Sequence, residues 1–504
     1  MSHENVLTGT VGTLIPVSVE EVIPGDIVST GASISVELPP LATNFKGRVD
    51  VRLEAFFVPN RILWAGWQDF IVQDSNHKPV VPSHIVSSTI PKFSIKNEHA
   101  GSGSLADYLG VKSWSAGTAG TTAIVNALPF VAYHKIWDDW YRDSNIQQPF
   151  FVDGVGLTTE YSALAAGSLP WSRRGLTFVD GGSVTSSSTA SSLGWNGSNL
   201  SDLKQRNFAK DYYTTMTTTP QSGAAAELEF SVDTSTGDGS FSIASLRAAN
   251  SLQKWLERNN LGGTRYYDQI LAHFGVLPSD ANVNRSVLLG AMSSPVVVNS
   301  VNQTAGSNVA AGTSPSLTKN PYSANVGAKF GSGVSFGKDR LINKFEVTEH
   351  GFIMILMSLV PHAYYGTGSR RYITRRSTST DYAFPEFANI GDQPVYKSEL
   401  DSQSLVSGVD DIIGYNQRFS EYKYHDYEVH GLLADGQSLE SFVLQRGFDS
   451  SVAVSTSLLE IPTNYMDNVM VVSNNISGFN YVADVYFDSK YLRTLPEYSL
   501  PGLN

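Results

Sequence analysis

The sequence predicts a large, mostly β protein with a few inserted helices and long polar loops. Gly351 to Val360 is a run of ten uncharged residues with β-branched members and no Gly or Pro in its interior, which predicts a strand buried on both faces. A run this short cannot cross a bilayer, because that needs about 20 apolar residues. Arg48 to Val58 alternates apolar with charged residues, as a strand with one face in a core does. The 43 Gly and 22 Pro residues indicate many turns.

Two more strands are predicted near the start of the chain. Val17 and Val19 alternate with polar residues within Leu14 to Asp26, and this segment closes with the turn Pro24-Gly25-Asp26. Ser33 to Leu38 alternates in the same way. We therefore expect several strands to enter the β core before residue 60.

Three segments have helical spacing. Arg61 to Val72 carries apolar residues at helical intervals, and Ser245 to Phe274 does so with a break at Gly262-Gly263. In Ala123 to Asn145 the aromatic residues fall on one helix face: Tyr133, Trp137, Trp140 and Tyr141. We expect Asp138 and Asp139 to lie on the solvated side of that aromatic helix.

Other segments have the composition of loops. Asp180 to Asn199 is almost entirely Ser, Gly, Thr and Asn, which predicts an exposed excursion with Ser183 to Ser192 at or near its end. Asp233 to Ser240 is a shorter excursion of the same kind. Asn299 to Gly337 is poor in charge and rich in Ser, Asn and Gly, and we predict it to be a loop.

Composition limits the function classes. Charged residues make up 16% of the 504-residue chain, below the average of about 25%, and the 8 Trp, 23 Tyr and 24 Phe suit a protein that buries much surface against partners. The net charge of -12 argues against a stand-alone nucleic-acid binder. With no cysteine there is no disulfide framework or thiolate chemistry, which fits assembly in a reducing cytoplasm. The first residues, MSHENVLTGTVG, lack the pattern of a signal peptide.

No catalytic or cofactor-binding constellation is found. Gly333 to Gly337 matches GxSxG, but loop-like residues precede it and no clear helix follows, so we interpret it as a glycine-rich loop. His425, Asp426, Glu428 and His430 could cluster as metal ligands, but no established ligand spacing supports this, and a polar strand face at a subunit contact explains them as well. We predict no metal and no cofactor.

The densest basic group is formed by Arg370, Arg371, Arg375 and Arg376. On an extended backbone Arg370 and Arg376 would share a face with Tyr372, while the other two would take the opposite face. Arginine with interleaved aromatic residues suits phosphate contact and base stacking. Salt bridges to carboxylates of neighbouring subunits are the alternative, and the acidic net charge favours it.

Several blocks carry a resemblance to a known family. They are FFVPNRILWAGW from Phe56, WDDWYRDSN from Trp137, LQKWLERNNLGGTRYYDQILAHFGV from Leu252 and GYNQRFSEYKYHDYEVHG from Gly414. In this order they resemble the major capsid proteins of the Microviridae, the small icosahedral single-stranded DNA bacteriophages, and most closely the gokushovirus-like branch.

The resemblance implies an eight-stranded antiparallel jelly roll with long inserted loops and a few helices, as one domain over residues 1–504. Residues 149–205 would form a surface-exposed insertion, and residues 223–244 a short counterpart of the family's threefold loop. The alternative from another class is a carbohydrate-binding or carbohydrate-active β sandwich.

The implied function is a non-enzymatic one, a T=1 icosahedral shell of identical copies around a circular single-stranded DNA genome. The implied partners are other copies of the chain, a small basic DNA-packaging protein, genomic DNA in mostly non-specific contact and a host cell-surface receptor. The implied location is the virion, with assembly in the bacterial host cytoplasm.

Overall fold

A computed structural model shows two antiparallel sheets that share one hydrophobic core, with helices against the outer face of one sheet. It describes residues 2–41, 45–63, 67–72, 92–96, 101–112, 122–147, 150, 168–171, 174–177, 183–185, 200, 202–221, 243–263, 265–296, 298–303, 329–333, 339–407, 410–448, 451–470 and 478–495.

The strands of the described chain are, in order, β1 (His3–Gly9), β2 (Ile15–Val22), β3 (Ile27–Pro40), β4 (Val49–Pro59), β5 (Lys92–Lys96), β6 (Thr122–Asn126), β7 (Ser168–Trp171), β8 (Arg174–Thr177), β9 (Ser183–Thr185), β10 (Val287–Pro295), β11 (Val298–Gln303), β12 (Lys329–Gly333), β13 (Asp339–Glu346), β14 (Gly351–Pro361), β15 (Tyr364–Tyr365), β16 (Gln393–Tyr396), β17 (Ile412–Asn416), β18 (Tyr427–Glu428) and β19 (Tyr481–Leu492).

The helices of the same residues are α1 (Asn60–Leu63), α2 (Trp67–Val72), α3 (Leu105–Tyr108), α4 (Leu128–Ile136), α5 (Ile243–Gly262), α6 (Tyr266–Phe274), α7 (Arg371–Thr374), α8 (Gln403–Ser407) and α9 (Thr456–Leu459). A π-helical turn, Trp137–Tyr141, continues α4. No described helix has both the length and the apolar character that a bilayer crossing requires.

The larger sheet has six strands in the order β1-β19-β3-β12-β11, with β13 pairing to the first part of β3. The smaller sheet has four strands in the order β10-β4-β14-β2. Every pairing within the two sheets is antiparallel. This architecture confirms a mainly β fold of the jelly-roll kind, while the count of eight strands stays a prediction.

The run Gly351 to Val360 is confirmed as a central buried strand. It forms most of β14, which pairs with β4 on one side and β2 on the other, and all its residues are buried. Ile353, Ile355 and other odd-numbered residues face the core between the sheets, whereas Phe352 and Met354 face the helices. A strand covered on both faces has no position where a charge would reach water, which explains the uncharged sequence.

The aromatic segment after Ala127 is helical as predicted, and α4 packs its buried residues on the outer face of the smaller sheet. The prediction that Asp138 and Asp139 are solvated is wrong, because only 4% and 8% of their surfaces are exposed. Arg142 Nε lies 2.8 Å from an Asp138 carboxylate oxygen, and Lys135 Nζ lies 2.6 Å from Asp139. These cations lie one helical turn away and neutralise the buried carboxylates.

A buried ion pair joins the same layer to the sheet. Glu54 of β4 accepts hydrogen bonds from Arg206 Nη1 at 2.6 Å and from the Tyr141 hydroxyl at 2.5 Å. Burial acts to raise the pKa of Glu54, but the Arg206 guanidinium outweighs it and the pKa is lowered. The charged form of Glu54 is therefore stabilised by its partner Arg206.

The predicted loop at Asn299 to Gly337 is wrong at both ends. The larger sheet contains β11 and β12 there, paired with each other and, through β12, with the second part of β3. Small polar residues such as Gly331 and Ser332 form strand when a long neighbour supplies the hydrogen-bond ladder, so the sheet overrides their weak intrinsic preference. The interior of that segment, 304–328, lies outside the described residues, as do 334–337 of the GxSxG match.

The predicted excursions fall mostly outside the described part of the chain. Of Asp180 to Asn199 only β9 is described, and it pairs in parallel with β5. Asp233 to Ser240 lies wholly outside it. The predicted helix Ser245 to Phe274 is confirmed as α5 and α6, with the break at Gly263, whose φ of 98° favours glycine.

Candidate assembly surface

After β14 the chain leaves the smaller sheet and forms a surface region at residues 362–448, which we call the rim. It is held by short pairings, β15 with β18 in parallel and β16 with β17 in antiparallel arrangement. A small core lies beneath it, made of Tyr212, Tyr213, Met216, Tyr365, Val395, Leu400 and Leu458. The rim is thus irregular in backbone yet supported from below by packed aromatic side chains.

The four predicted arginines lie in the rim, on a turn of helix and not on an extended backbone. The Ile373 N–H donates to the Arg370 carbonyl at 3.0 Å, and the Arg375 N–H donates to the Arg371 carbonyl at 2.8 Å. The expected face sharing on an extended segment is therefore wrong. The chain reaches α7 through Gly368, where a Cβ would lie 2.0 Å from the Glu399 carbonyl oxygen, so only glycine fits.

Arg371 pairs with a carboxylate that is almost completely buried. Its Nη1 lies 2.9 Å from Glu399 Oε1 and 2.8 Å from the Pro394 carbonyl, and the Glu399 side chain is 1% exposed. The Tyr212 hydroxyl donates to the other oxygen of Glu399 at 2.8 Å. Burial raises the pKa of Glu399 despite the opposing effect of Arg371. This pair ties the arginine segment to the aromatic core below it.

Arg376 forms a second buried pair. Its Nη2 lies 2.6 Å from Glu421 Oε1, and Gln393 Nε2 donates to the other oxygen at 2.6 Å. Burial acts to raise the pKa of Glu421, but the bonds from Arg376 and Gln393 outweigh it and the pKa is lowered. Arg371 Nε lies 3.8 Å from the same carboxylate, so Arg371 and Arg376 belong to one network.

Arg370 and Arg375 form the more exposed pairs. Arg370 contacts Glu428, and Arg375 contacts Asp410 while its guanidinium stacks on the Tyr396 ring at 3.6 Å. Each of the four arginines therefore has a carboxylate partner within its own chain. The segment that looks most basic in the sequence adds little net charge to the rim surface.

A cavity of about 850 Å³ opens beside these pairs and is lined by Arg370, Arg371 and Arg376 together with tyrosine rings. Asp426 also lines it, and burial together with the neighbouring Asp211 carboxylate raises the pKa of Asp426 to about 6.

The side chains considered above as metal ligands do not converge on a metal centre. His430 Nε2 lies 3.2 Å from Glu428, while His425 is exposed. Among the residues that the structure describes, no group of three or more His, Cys, Asp or Glu could hold a metal ion.

Exposed hydrophobic side chains are concentrated in two segments. Of the 28 large hydrophobic residues that are exposed within the described ranges, thirteen lie between residues 372 and 439 of the rim. They include Ile373 at 70% and Val406 at 81% exposure. Nine more lie between residues 246 and 277, in α5, α6 and the turn after them, and α6 has no buried residue. Exposed apolar side chains concentrated in this way make the two segments candidates for contact with another molecule.

The sequence showed only part of this surface. The arginines were visible as a cluster, but their partners Glu399, Asp410, Glu421 and Glu428 come from separate turns further along the chain. No spacing rule connects them. The exposed apolar residues of α5 and α6 do recur at helical intervals, so the helices were predictable and their exposure was not.

Comparisons with known proteins give consistent results. A family model described as capsid protein (F protein) matches residues 1–503. The capsid protein VP1 of Chlamydia phage 1 is 26% identical, with 100% of this chain and 94% of that protein aligned. The capsid protein VP1 of Bdellovibrio phage phiMH2K is 24% identical over 97% of this chain and 92% of the relative, and that of Spiroplasma virus 4 is 24% identical over 99% and 94%.

Proposed function

The chain belongs to the capsid protein (F protein) family of bacteriophages, and on that premise we propose that copies of it close into a T=1 icosahedral shell around a circular single-stranded DNA genome. It is a structural protein of the virion and not an enzyme. Neither the family description nor the names of the relatives support the carbohydrate-binding alternative.

The observation that carries the proposal is the apolar surface of the rim and of α6 with the turn after it, where Tyr266, Phe274 and Leu277 are exposed. An isolated chain would expose these side chains to water, whereas neighbouring copies in a shell would bury them. Two different patches on one subunit favour heterologous contacts, in which one patch of a copy meets the other patch of the next. Such contacts form a closed ring when the repeated rotation returns to the first copy.

We propose that the four arginines of the rim shape a surface for intersubunit contact and do not bind DNA. Their charges are already balanced by Glu399, Asp410, Glu421 and Glu428, so little attraction for phosphate remains. Their role under this proposal is to hold the rim in one shape, so that Tyr372 and Ile373 of α7 meet a neighbour in a fixed orientation.

The genome requires a different source of positive charge. A subunit of net charge -12 repels a polyanion, and a small basic DNA-packaging protein that coats the DNA would relieve the repulsion. Direct contact between subunit and DNA is then weak, non-specific and strongly dependent on salt. The same proposal includes assembly in the bacterial cytoplasm and recognition of a host receptor by the outside of the shell.

The insertion at residues 149–205 is proposed as the outward excursion of the shell, on the strength of its small polar residues. Residues 223–244 are proposed as a short counterpart of the family's threefold loop, within a single domain over residues 1–504.

Electron microscopy of the purified full-length chain, with size-exclusion chromatography beside it, tests the proposed function. We expect closed particles of uniform size that elute near the void volume. A chain that stays a small oligomer under all solution conditions, with its apolar rim intact, would contradict self-assembly.

A further inference from the structure

Helix α5 carries three cations on its solvent face. Arg247, Lys254 and Arg258 are exposed and stand at positions i, i+7 and i+11, which share one side of a helix. None of the three forms a hydrogen bond or ion pair with another residue of the described chain. We call these residues the basic stripe.

The opposite side of α5 is attached to the body of the protein, so the basic stripe faces solvent. Asn260 Nδ2 donates to the Thr219 carbonyl at 2.9 Å, which ties the opposite side of α5 to the body of the protein. Glu257, the one acidic residue within α5, lies off the stripe and accepts a hydrogen bond from Gln253 at 2.9 Å. Among the described residues the stripe is therefore a positive line with no ion-pair partner, on a chain of net charge -12.

An indole stands next to the stripe. Trp255 is 51% exposed, although one side of its ring contacts His273 at 6.1 Å between centroids. His273 is itself held by Asn259, at 2.6 Å between Nε2 and Oδ1. The ring is thus supported from within the protein and presents open surface beside the cations.

We propose that the solvent-facing side of α5 binds a single nucleic-acid strand, with the basic stripe along its phosphates and Trp255 against an unpaired base. The three cations span about 16 Å along the helix axis. At the stacked spacing of about 3.4 Å per nucleotide, this length covers about five phosphates. A duplex would present no open base face to the indole, so a single strand fits better.

This inference rests on the proposed shell, since it names where such a shell touches its genome. It differs from the sequence-based candidate, because the rim arginines are paired within the chain, whereas the basic stripe has no such partner among the residues that the structure describes.

The test is a salt titration of a fluorescent oligothymidylate with the full-length subunit. The triple variant R247Q/K254Q/R258Q is expected to lower the slope of log K against log salt by about 2, because each phosphate contact of a single strand contributes about 0.7. Trp255→Ala, which changes no charge, is expected to weaken binding about fivefold, at the low end for loss of one stacked base.

A matched control changes the same formal charge elsewhere, in K112Q/K423Q/K490Q, three exposed lysines outside α5. We expect the control to leave the slope unchanged. An equal fall of the slope in both triple variants would overturn the proposal, because the affinity would then depend only on the total charge of the subunit and not on the position of the cations. Tighter binding of polyglutamate than of the oligonucleotide would overturn it as well, and would assign the stripe to an acidic surface of another copy.

Particle formation by every variant is followed separately by electron microscopy. Shells that form normally while the slope stays at the wild-type value would refute the basic stripe and leave the proposed shell intact. Loss of shells in R247Q/K254Q/R258Q with oligonucleotide affinity retained would place the stripe between subunits and refute the nucleic-acid site.

Discussion

The same substitution at two isoleucines, one in the core and one on the rim, should impair two different properties of the protein. Ile355 of β14 is 2% exposed, and Ile373 of α7 is 70% exposed. We expect Ile355→Ala to weaken folding and Ile373→Ala to weaken assembly of a subunit that still folds. The chemical change is identical, so the difference measures only where each side chain lies.

The magnitudes follow from burial. Ile355 packs between the two sheets, and truncating such a residue costs about 2–5 kcal/mol of unfolding free energy. Ile355→Asp is expected to abolish soluble protein, because an unpaired buried charge costs several kcal/mol or is neutralised by a pKa shift. Ile373→Ala should change folding stability by less than about 0.5 kcal/mol.

At the subunit contact Ile373 has a larger effect. Burying the exposed 70% of its surface against a neighbour contributes about 1–2 kcal/mol per contact. Its loss therefore raises the subunit concentration at which shells form by about five- to thirtyfold.

Urea unfolding monitored by tryptophan fluorescence measures the first quantity, and light scattering against subunit concentration measures the second. If Ile373→Ala unfolded as readily as Ile355→Ala, or assembled at wild-type concentrations, the rim would not be the contact surface. An assembling Ile355→Asp variant would show that β14 is not core.

Three more results are expected. Arg206→Met should destabilise the fold by about 3–5 kcal/mol in urea, because it leaves the Glu54 carboxylate buried without its partner, and adding Glu54→Leu should recover most of the loss. Asp426→Asn should raise the melting temperature at pH 8 and leave it unchanged near pH 4. The folded pKa of about 6 lies above the unfolded value, so the wild type loses stability as pH rises through that window. A constant difference in melting temperature at all pH values would rule this out. Limited proteolysis of intact particles should cut first within residues 149–205, and first cleavage elsewhere would disprove the outward excursion.

The sequence was sufficient for the parts of the fold that have regular periodicity. β14 was predictable because a strand buried on both faces must be apolar throughout, and α5 because its residues recur at helical spacing. The burial of Asp138 and Asp139 was not predictable, since only the fold shows that other layers cover that side of α4. The spacing of the residues shows that a cation lies one helical turn from each aspartate, but it does not show that the aspartates are shielded from water.

The candidate surface was predictable in composition and not in geometry. The rim arginines stood out as charges, but whether they remain free depends on carboxylates brought in by separate turns. The basic stripe of α5 was hidden for the opposite reason. Three cations spread over twelve residues do not stand out from the surrounding charges until the helix aligns them and the described part of the chain shows no carboxylate paired with them.

The position of β19 has a consequence for synthesis on the ribosome. β19 lies between β1 and β3 in the larger sheet and is the last strand of the described chain. Val11 N–H donates to the Asn480 side chain across 469 residues of sequence, so this contact forms only after residue 480 has been translated. Until then β1 and one edge of β3 have no partner, and such long-range pairing is slow. A chain that stops before β19 therefore lacks the strand that lies between β1 and β3 in the larger sheet.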